Sequence, residues 1–119
     1  MPLSERDASY LWDIIDSARL AVDATRELDH AAYEANRMVQ LAVERCVEVI
    51  GEAVRRLSEE YRASRPSIPW SRIVAQRNVL AHEYRDIQHE KLWRLTREEL
   101  PRLVAALEPD LPPPPVVAE

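Results

Sequence analysis

The chain is expected to fold as an all-α helical bundle, on three observations. It has one Gly and no Phe, and its Ala, Leu, Glu and Arg content favours helix almost throughout. No stretch alternates apolar and polar residues with period two for long enough to make a strand. Apolar residues recur instead at steps of three and four in several separate runs. A chain of 119 residues has room for one domain with a modest core. Residues 1–108 are expected to form that domain, and 109–119 a Pro-rich disordered tail.

The first helix is expected to start at Ser4, whose hydroxyl can cap it while Asp7 takes the capping-box position. Tyr10, Leu11, Ile14, Ile15, Ala18, Ala21 and Val22 then follow helical spacing, to an end near Leu28. Asp29 to Glu34 reads as a break followed by a short turn or helical segment. A long helix is expected from about Asn36 to Tyr61, with one stripe through Val39, Val43, Cys46, Ile50, Ala53, Val54, Leu57 and Tyr61. A second apolar set, Met38, Leu41, Ala42 and Val49, widens that surface beyond what one neighbour covers, which predicts packing against a second subunit in a homodimer. Gly51 in mid-helix costs stability, so a close helix crossing is expected there.

Pro66 and Pro69 punctuate a connection, and Trp70 opens the next helix. A last helical region is expected from near Gln88, carrying Leu92, Trp93, Leu95, Leu100, Leu103, Val104 and Leu107. Thr96 and Glu99 resemble a capping box, and Pro101 fits either a first turn or a kink, so one kinked helix and two helices both remain open. Trp70 and Trp93 are expected to be core anchors, while Trp12 suits core or interface equally.

The amino terminus, Met1-Pro2-Leu3-Ser4-Glu5, lacks the basic start and apolar block of a signal peptide, and no apolar stretch reaches membrane-spanning length. The expectation is a soluble, cytoplasmic protein with no membrane partner. Cys46 lies alone in an apolar run and is expected to be buried and reduced. His30, His82 and His89 are unrelated by ligand spacing, so no metal site is expected. The net charge of −5 argues against a nucleic-acid partner, but its distribution softens the objection. Between Arg55 and Arg85 seven arginines face three glutamates, which permits a basic surface on an acidic protein. The basic residues do not mark out a helix-turn-helix recognition helix.

Arg77-Asn78-Val79-Leu80-Ala81-His82-Glu83-Tyr84 is the segment richest in chemistry. Ile73, Arg77, Leu80, Ala81 and Tyr84 share one helical stripe, so a guanidinium stands where an apolar residue is expected. It must be paired or face a wet groove. His82 lies about 140° around an ideal helix from Arg77, above Asn78. Either the helix deforms near Ala81, or the site is completed where two subunits meet on a two-fold axis.

These groups suit cleavage of an RNA phosphodiester without a metal. Histidine can deprotonate a 2′-hydroxyl or protonate a leaving 5′-oxygen near neutral pH. Arginine can hold the phosphate and stabilise charge building on it. Asn78 could orient His82 or touch substrate, and Tyr84 could contact phosphate or stack on a base. A purely structural arrangement, with Arg77 set against a carboxylate such as Glu52, would leave the same trace in the sequence.

The R-x4-H-x-Y pattern of that segment resembles the signature of the HEPN superfamily, in particular its HepT-like toxins. The resemblance extends through Ala42-Val43-Glu44-Arg45, Ile50-Gly51-Glu52-Ala53, Ile68-Pro69-Trp70, Trp93 and Leu100-Pro101, in order, and covers about residues 7–107. It implies a HEPN-type helical bundle with antiparallel long helices, homodimeric, with the motif of each subunit lining a cleft at the interface. It implies a metal-independent endoribonuclease, the toxin of a toxin–antitoxin pair, acting on RNA, with tRNA one candidate form. By position, Arg77 and His82 become the catalytic pair, and Asn78 and Tyr84 supporting or substrate-contacting residues. The implied antitoxin is an MNT (MntA-like) nucleotidyltransferase that transfers AMP from ATP to Tyr84. ATP is then the partner's substrate, and the chain itself needs no cofactor.

Glu52 and Arg45 lie in family-like blocks and are candidates for support behind the site. For Glu52 the favoured reading is plain surface charge, paired with Arg56, ahead of support behind the site. Glu44, Glu48 and Glu52 are read as a solvated helix face rather than a metal ladder. The competing function is a noncatalytic helical dimer that binds or regulates a partner nucleotidyltransferase.

Overall fold

A computed structural model describes residues 3–82 and 89–112, and for residues 78–82 the backbone alone. Among the described residues every regular element is helical. Helix α1 runs Glu5–Thr25, α2 His30–Glu34, α3 Arg37–Arg56, α4 Glu59–Ser64, α5 Trp70–His82 and α6 His89–Arg94. A π-helical turn, Leu95–Glu99, joins α6 to α7, Leu100–Leu107, and a 3₁₀ turn, Glu108–Asp110, follows. No described helix is long and apolar enough to cross a membrane.

The starts follow the capping chemistry written in the sequence. Ser4, Asp29, Asn36 and Ser58 each accept a backbone N–H from three residues ahead, at the first turns of α1, α2, α3 and α4. The core is built from one face of α1 (Leu11, Ile14, Ile15, Ala18, Ala21) against Val43, Cys46, Val47, Ile50, Ala53 and Val54 of α3. Leu92, Leu100, Leu103 and Leu107 close it from α6 and α7. Cys46 is buried, and burial raises its thiol pKa. The indoles of Trp70 and Trp93 donate to main-chain carbonyls, Trp70 to Arg62 and Arg65 at 3.0 and 3.1 Å and Trp93 to Leu28 at 2.9 Å. Trp12 is half-buried.

α1 and α3 are antiparallel, and one junction shows it. Asp7, in the first turn of α1, accepts from the backbone N–H of Ser58 at 2.9 Å and from its hydroxyl at 2.6 Å. That junction also explains why α3 is shorter than its apolar stripe. The expected helix to Tyr61 stops at Arg56, because Leu57 is extended (φ −62°, ψ 144°) and Ser58 turns its hydroxyl to the backbone of Tyr61 as a new cap. The stripe still works across the break, with Leu57 and Tyr61 buried. The second apolar set of α3 is only partly covered: Ala42 and Val49 are half-buried, but Met38 is 82% exposed and Leu41 49%.

The carboxy-terminal region is one helical run with a wide turn in it. The Leu100 N–H reaches back five residues to the Leu95 carbonyl, which sets the stretch ahead of Pro101 outside α-helical register. Leu92, Thr96, Leu100, Leu103 and Leu107 are all buried, a spacing that needs slightly more than ~3.6 residues per turn, and the wide turn supplies the excess. The capping box expected at Thr96 and Glu99 does not form. The buried Thr96 hydroxyl donates to the Leu92 carbonyl at 2.9 Å, and Glu99 pairs with Arg72 at 2.5 Å. Nor does the chain leave the fold at Pro109. Asp110 accepts from the Tyr61 hydroxyl at 2.5 Å and from Arg65 Nε at 2.7 Å, and Leu111 packs on the core. The rest of the tail, 113–119, lies outside the described residues.

Gly51 makes the crossing of α3 and α5 possible. A methyl group added there would stand 2.2 Å from Cβ of Arg77 and 2.7 Å from its Cγ. Both atoms sit at the base of the side chain and cannot swing aside. Gly51→Ala should therefore destabilise the fold by roughly 1–2 kcal/mol, overpacking outweighing the helix-propensity gain of about 1 kcal/mol. Denaturant unfolding checks this, and a variant as stable as the parent would mean that the helices separate freely.

Asp7 gives a second expectation. Burial favours its neutral form, but hydrogen bonds from the hydroxyl and N–H of Ser58 and from Ser4, with the Arg6 charge, outweigh it and hold the carboxyl below its ordinary pKa. Its stabilisation is thus complete above the unfolded-state value of about 3.9 and is lost as pH falls through the lower folded value. Asp7→Asn should cost about 1–3 kcal/mol at pH 7. The gap from the parent should narrow below about pH 4. A gap that stays constant with pH would refute the charged-acceptor role.

Candidate active site

Arg77 enters the structure through the α3–α5 crossing. Its stem lies on Gly51, where no side chain competes for the space. Ile73 and Val74, one turn earlier on α5, pack against the core and fix the rotation of that helix. The side chain as a whole is 28% exposed, and Nη2 lies 3.5 Å from Oε2 of Glu52. This resolves the apolar-stripe conflict in the sequence: the aliphatic stem takes the core-facing position, and the charged end reaches a partner.

Glu52 does both things the sequence allowed. It takes Arg56 Nε on Oε1 at 3.1 Å and Arg55 Nη1 on Oε2 at 3.3 Å, besides Arg77. The Arg56 hydrogen bond is the largest cause holding its pKa below the ordinary glutamate value, with the charges of Arg55, Arg56 and Arg77 adding to it. One carboxylate thus joins three guanidinium groups from two helices. Arg45 is more remote. It is 75% exposed, and its partner is Glu48 at 3.4 Å.

The acidic ladder of α3 is divided among different partners. Glu48 pairs with Arg45 and Glu52 with its three arginines, but Glu44 is only 15% exposed and pairs with Arg37 at 3.6 Å. The solvated face expected there does not extend to Glu44. It lies near Tyr33, whose phenol is pushed up to about 12 by burial and then by the Glu44 charge. Among the described residues no group of three or more His, Cys, Asp and Glu side chains is placed to hold a metal ion.

Arg77 and Glu52 border a groove of about 420 Å³, lined also by Tyr10 and Asp13 of α1 and by Arg45, Glu48, Val49, Ala53 and Arg56 of α3. Three helices therefore contribute, with α3 as floor and α1 and α5 as walls. Tyr10, Asp13 and Arg56 were not singled out as site residues from the sequence. Tyr10 stands at the edge of the apolar stripe of α1 and is half-buried. Hydrogen bonds from Arg56 and then Arg6 draw its phenol below the ordinary pKa, and the Arg6 guanidinium carbon lies 5.8 Å from the ring centroid. The available signal was that edge position, where a phenol can face both core and groove.

His82 is the last residue of α5, five residues beyond Arg77 on the same helix. The side chains of Asn78 and His82, and all of Tyr84, lie outside the described residues. The geometry thus brings together Arg77 and Glu52 of the expected site, with Arg45 at the groove edge.

The family model described as "Ribonuclease HepT-like" matches residues 14–109. A Methanocaldococcus jannaschii protein named "Putative RNase MJ1380" is 35% identical over 107 residues, covering 89% of this chain and 98% of that protein. The "Probable ribonuclease HepT" of Thermococcus cleftensis is 32% identical over 108 residues, covering 91% and 96%. No solved structure gives a significant match. On the extent of the family match, which takes in α3 and α5 whole, the chain belongs to the HepT-like ribonuclease family.

Proposed function

We propose that the protein is a metal-independent endoribonuclease that works as a homodimer in the cytoplasm. The observation that carries this reading is the setting of Arg77. Its stem is seated on Gly51, its charge is paired with Glu52, and it lines a groove. A guanidinium fixed in that way is suited to a phosphate and to the charge that builds on it during displacement. His82, on the same helix, supplies an imidazole, a group able to take or give a proton. In the reaction the 2′-oxygen forms a bond to phosphorus as the bond to the 5′-oxygen breaks. One proton leaves the 2′-hydroxyl and one reaches the departing oxygen. His82 serves one of these transfers, Asn78 and Tyr84 support the site, and no step needs a cofactor. The relatives named as ribonucleases support the same class of reaction.

The physiological role follows the family resemblance: a toxin restrained by an MNT (MntA-like) nucleotidyltransferase that transfers AMP to Tyr84. An added phosphate group two residues from His82 in the sequence would repel the RNA backbone.

Purified protein should cleave RNA, tRNA included, in the presence of EDTA. Arg77→Ala and His82→Ala should each lose at least about a hundredfold in rate, in line with loss of an electrostatic or general acid–base group, while remaining folded. Parent protein adenylylated on Tyr84 should be silent, and Tyr84→Phe should not accept AMP in a mass measurement. If folded parent protein leaves every RNA intact, the noncatalytic partner of a nucleotidyltransferase becomes the better account.

The uncovered face of α3 carries the dimer expectation. Met38 and Leu41 are large apolar residues left to solvent in the single chain. Replacing both with Glu should shift the molecular mass in solution, read by light scattering, from dimer to monomer. A dimer that survives the double substitution must use another face.

A further inference from the structure

We propose that Tyr10 and Arg56 form a subsite for the nucleotide flanking the scissile phosphate, which makes unpaired, single-stranded RNA the substrate class. This rests on the ribonuclease reading and adds a second contact surface to it. A chain of polar contacts crosses the groove from one wall to the other. It runs from Arg77 on α5 through Glu52 to Arg56 on α3, and Arg56 lines the groove together with Tyr10 of α1 and draws its phenol below the ordinary pKa. Arg77 and Tyr10 thus line one groove of about 420 Å³, within the range of small-ligand sites.

The charge of the lining decides what can bind there. Arg45, Arg56 and Arg77 are matched by Asp13, Glu48 and Glu52, so the groove is not a general trap for anions. A strand held in it must gain from something other than net charge. The half-buried ring of Tyr10 is the aromatic surface of the lining, and a base that takes the place of the exposed Arg6 guanidinium, 5.8 Å from the ring centroid, can stack on it. Asp13, one turn along α1, offers an acceptor to the donors on a base edge. In a duplex both the base faces and those edges are already engaged, whereas an unpaired nucleotide presents them.

The test uses full-length protein carrying His82→Ala, which binds without turnover, and a fluorescent single-stranded RNA octamer of mixed sequence, alone or annealed to its complement. Tyr10→Phe keeps the ring, and Tyr10→Leu keeps the apolar packing without it; circular dichroism establishes that both are folded. The single strand should bind more tightly than the duplex. Tyr10→Leu should weaken that binding about tenfold or more, and Tyr10→Phe only slightly. In the active protein the same Tyr10→Leu change should raise KM with little effect on kcat. Equal affinity of Tyr10→Leu and its parent, or equal binding of duplex and single strand, overturns the subsite. Cleavage with an unchanged KM in Tyr10→Leu removes the subsite and leaves the ribonuclease reading standing. Ring-dependent binding by a protein that cleaves nothing does the reverse. Absence of RNA binding by every variant overturns both.

Discussion

The contact between Gly51 and the stem of Arg77 is the constraint on which the site depends. It has no room for a methyl group, so α3 and α5 cross with backbone and side-chain stem in direct contact. Helix interiors penalise glycine, and only the close approach justifies it here. Because the stem is confined, the guanidinium leaves the crossing in one direction, toward Glu52. Position and charge are therefore set by separate residues next to each other in sequence: Gly51 fixes where Arg77 stands, and Glu52 keeps its end on the groove side.

Much of this was legible in the residues. The cap at Ser4 and the helix starts near Asp29 and Asn36 follow from side-chain chemistry that acts within one turn, whereas the cap at Ser58 was hidden inside the apolar stripe of α3. Gly51 in mid-helix announced a close crossing, although which residue met it required the fold. Arg77 was conspicuous as a charge in an apolar stripe. The groove was less visible, because Tyr10 and Arg56 lie 46 residues apart and each looks ordinary in its own helix. Tyr10 passes for one more core position, and Arg56 for an i,i+4 partner of Glu52.

The misread elements have a common cause. An apolar stripe reports which residues are buried and not whether the backbone between them is continuous. Leu57 and Tyr61 continue the buried face of α3 after the helix has ended, since α4 restarts with its buried residue in the right place. The π turn is the same lesson reversed, for there the helix continues while its pitch changes. Pro109 misled for a different reason: proline-rich composition signals an extended chain, but Asp110 just beyond it finds Tyr61 and Arg65.

The junction of Asp7 with Ser58 also governs the order in which the molecule can be assembled. It joins residues 51 positions apart, so it closes only after the intervening chain has folded back on itself. No residue of α5 takes part in that junction, so Tyr10, Glu52 and Arg56 are set by the α1–α3 pairing and not by the helix that carries Arg77. The groove is then a socket of two helices that a third wall completes, and Arg77 joins it only where α5 docks on Gly51.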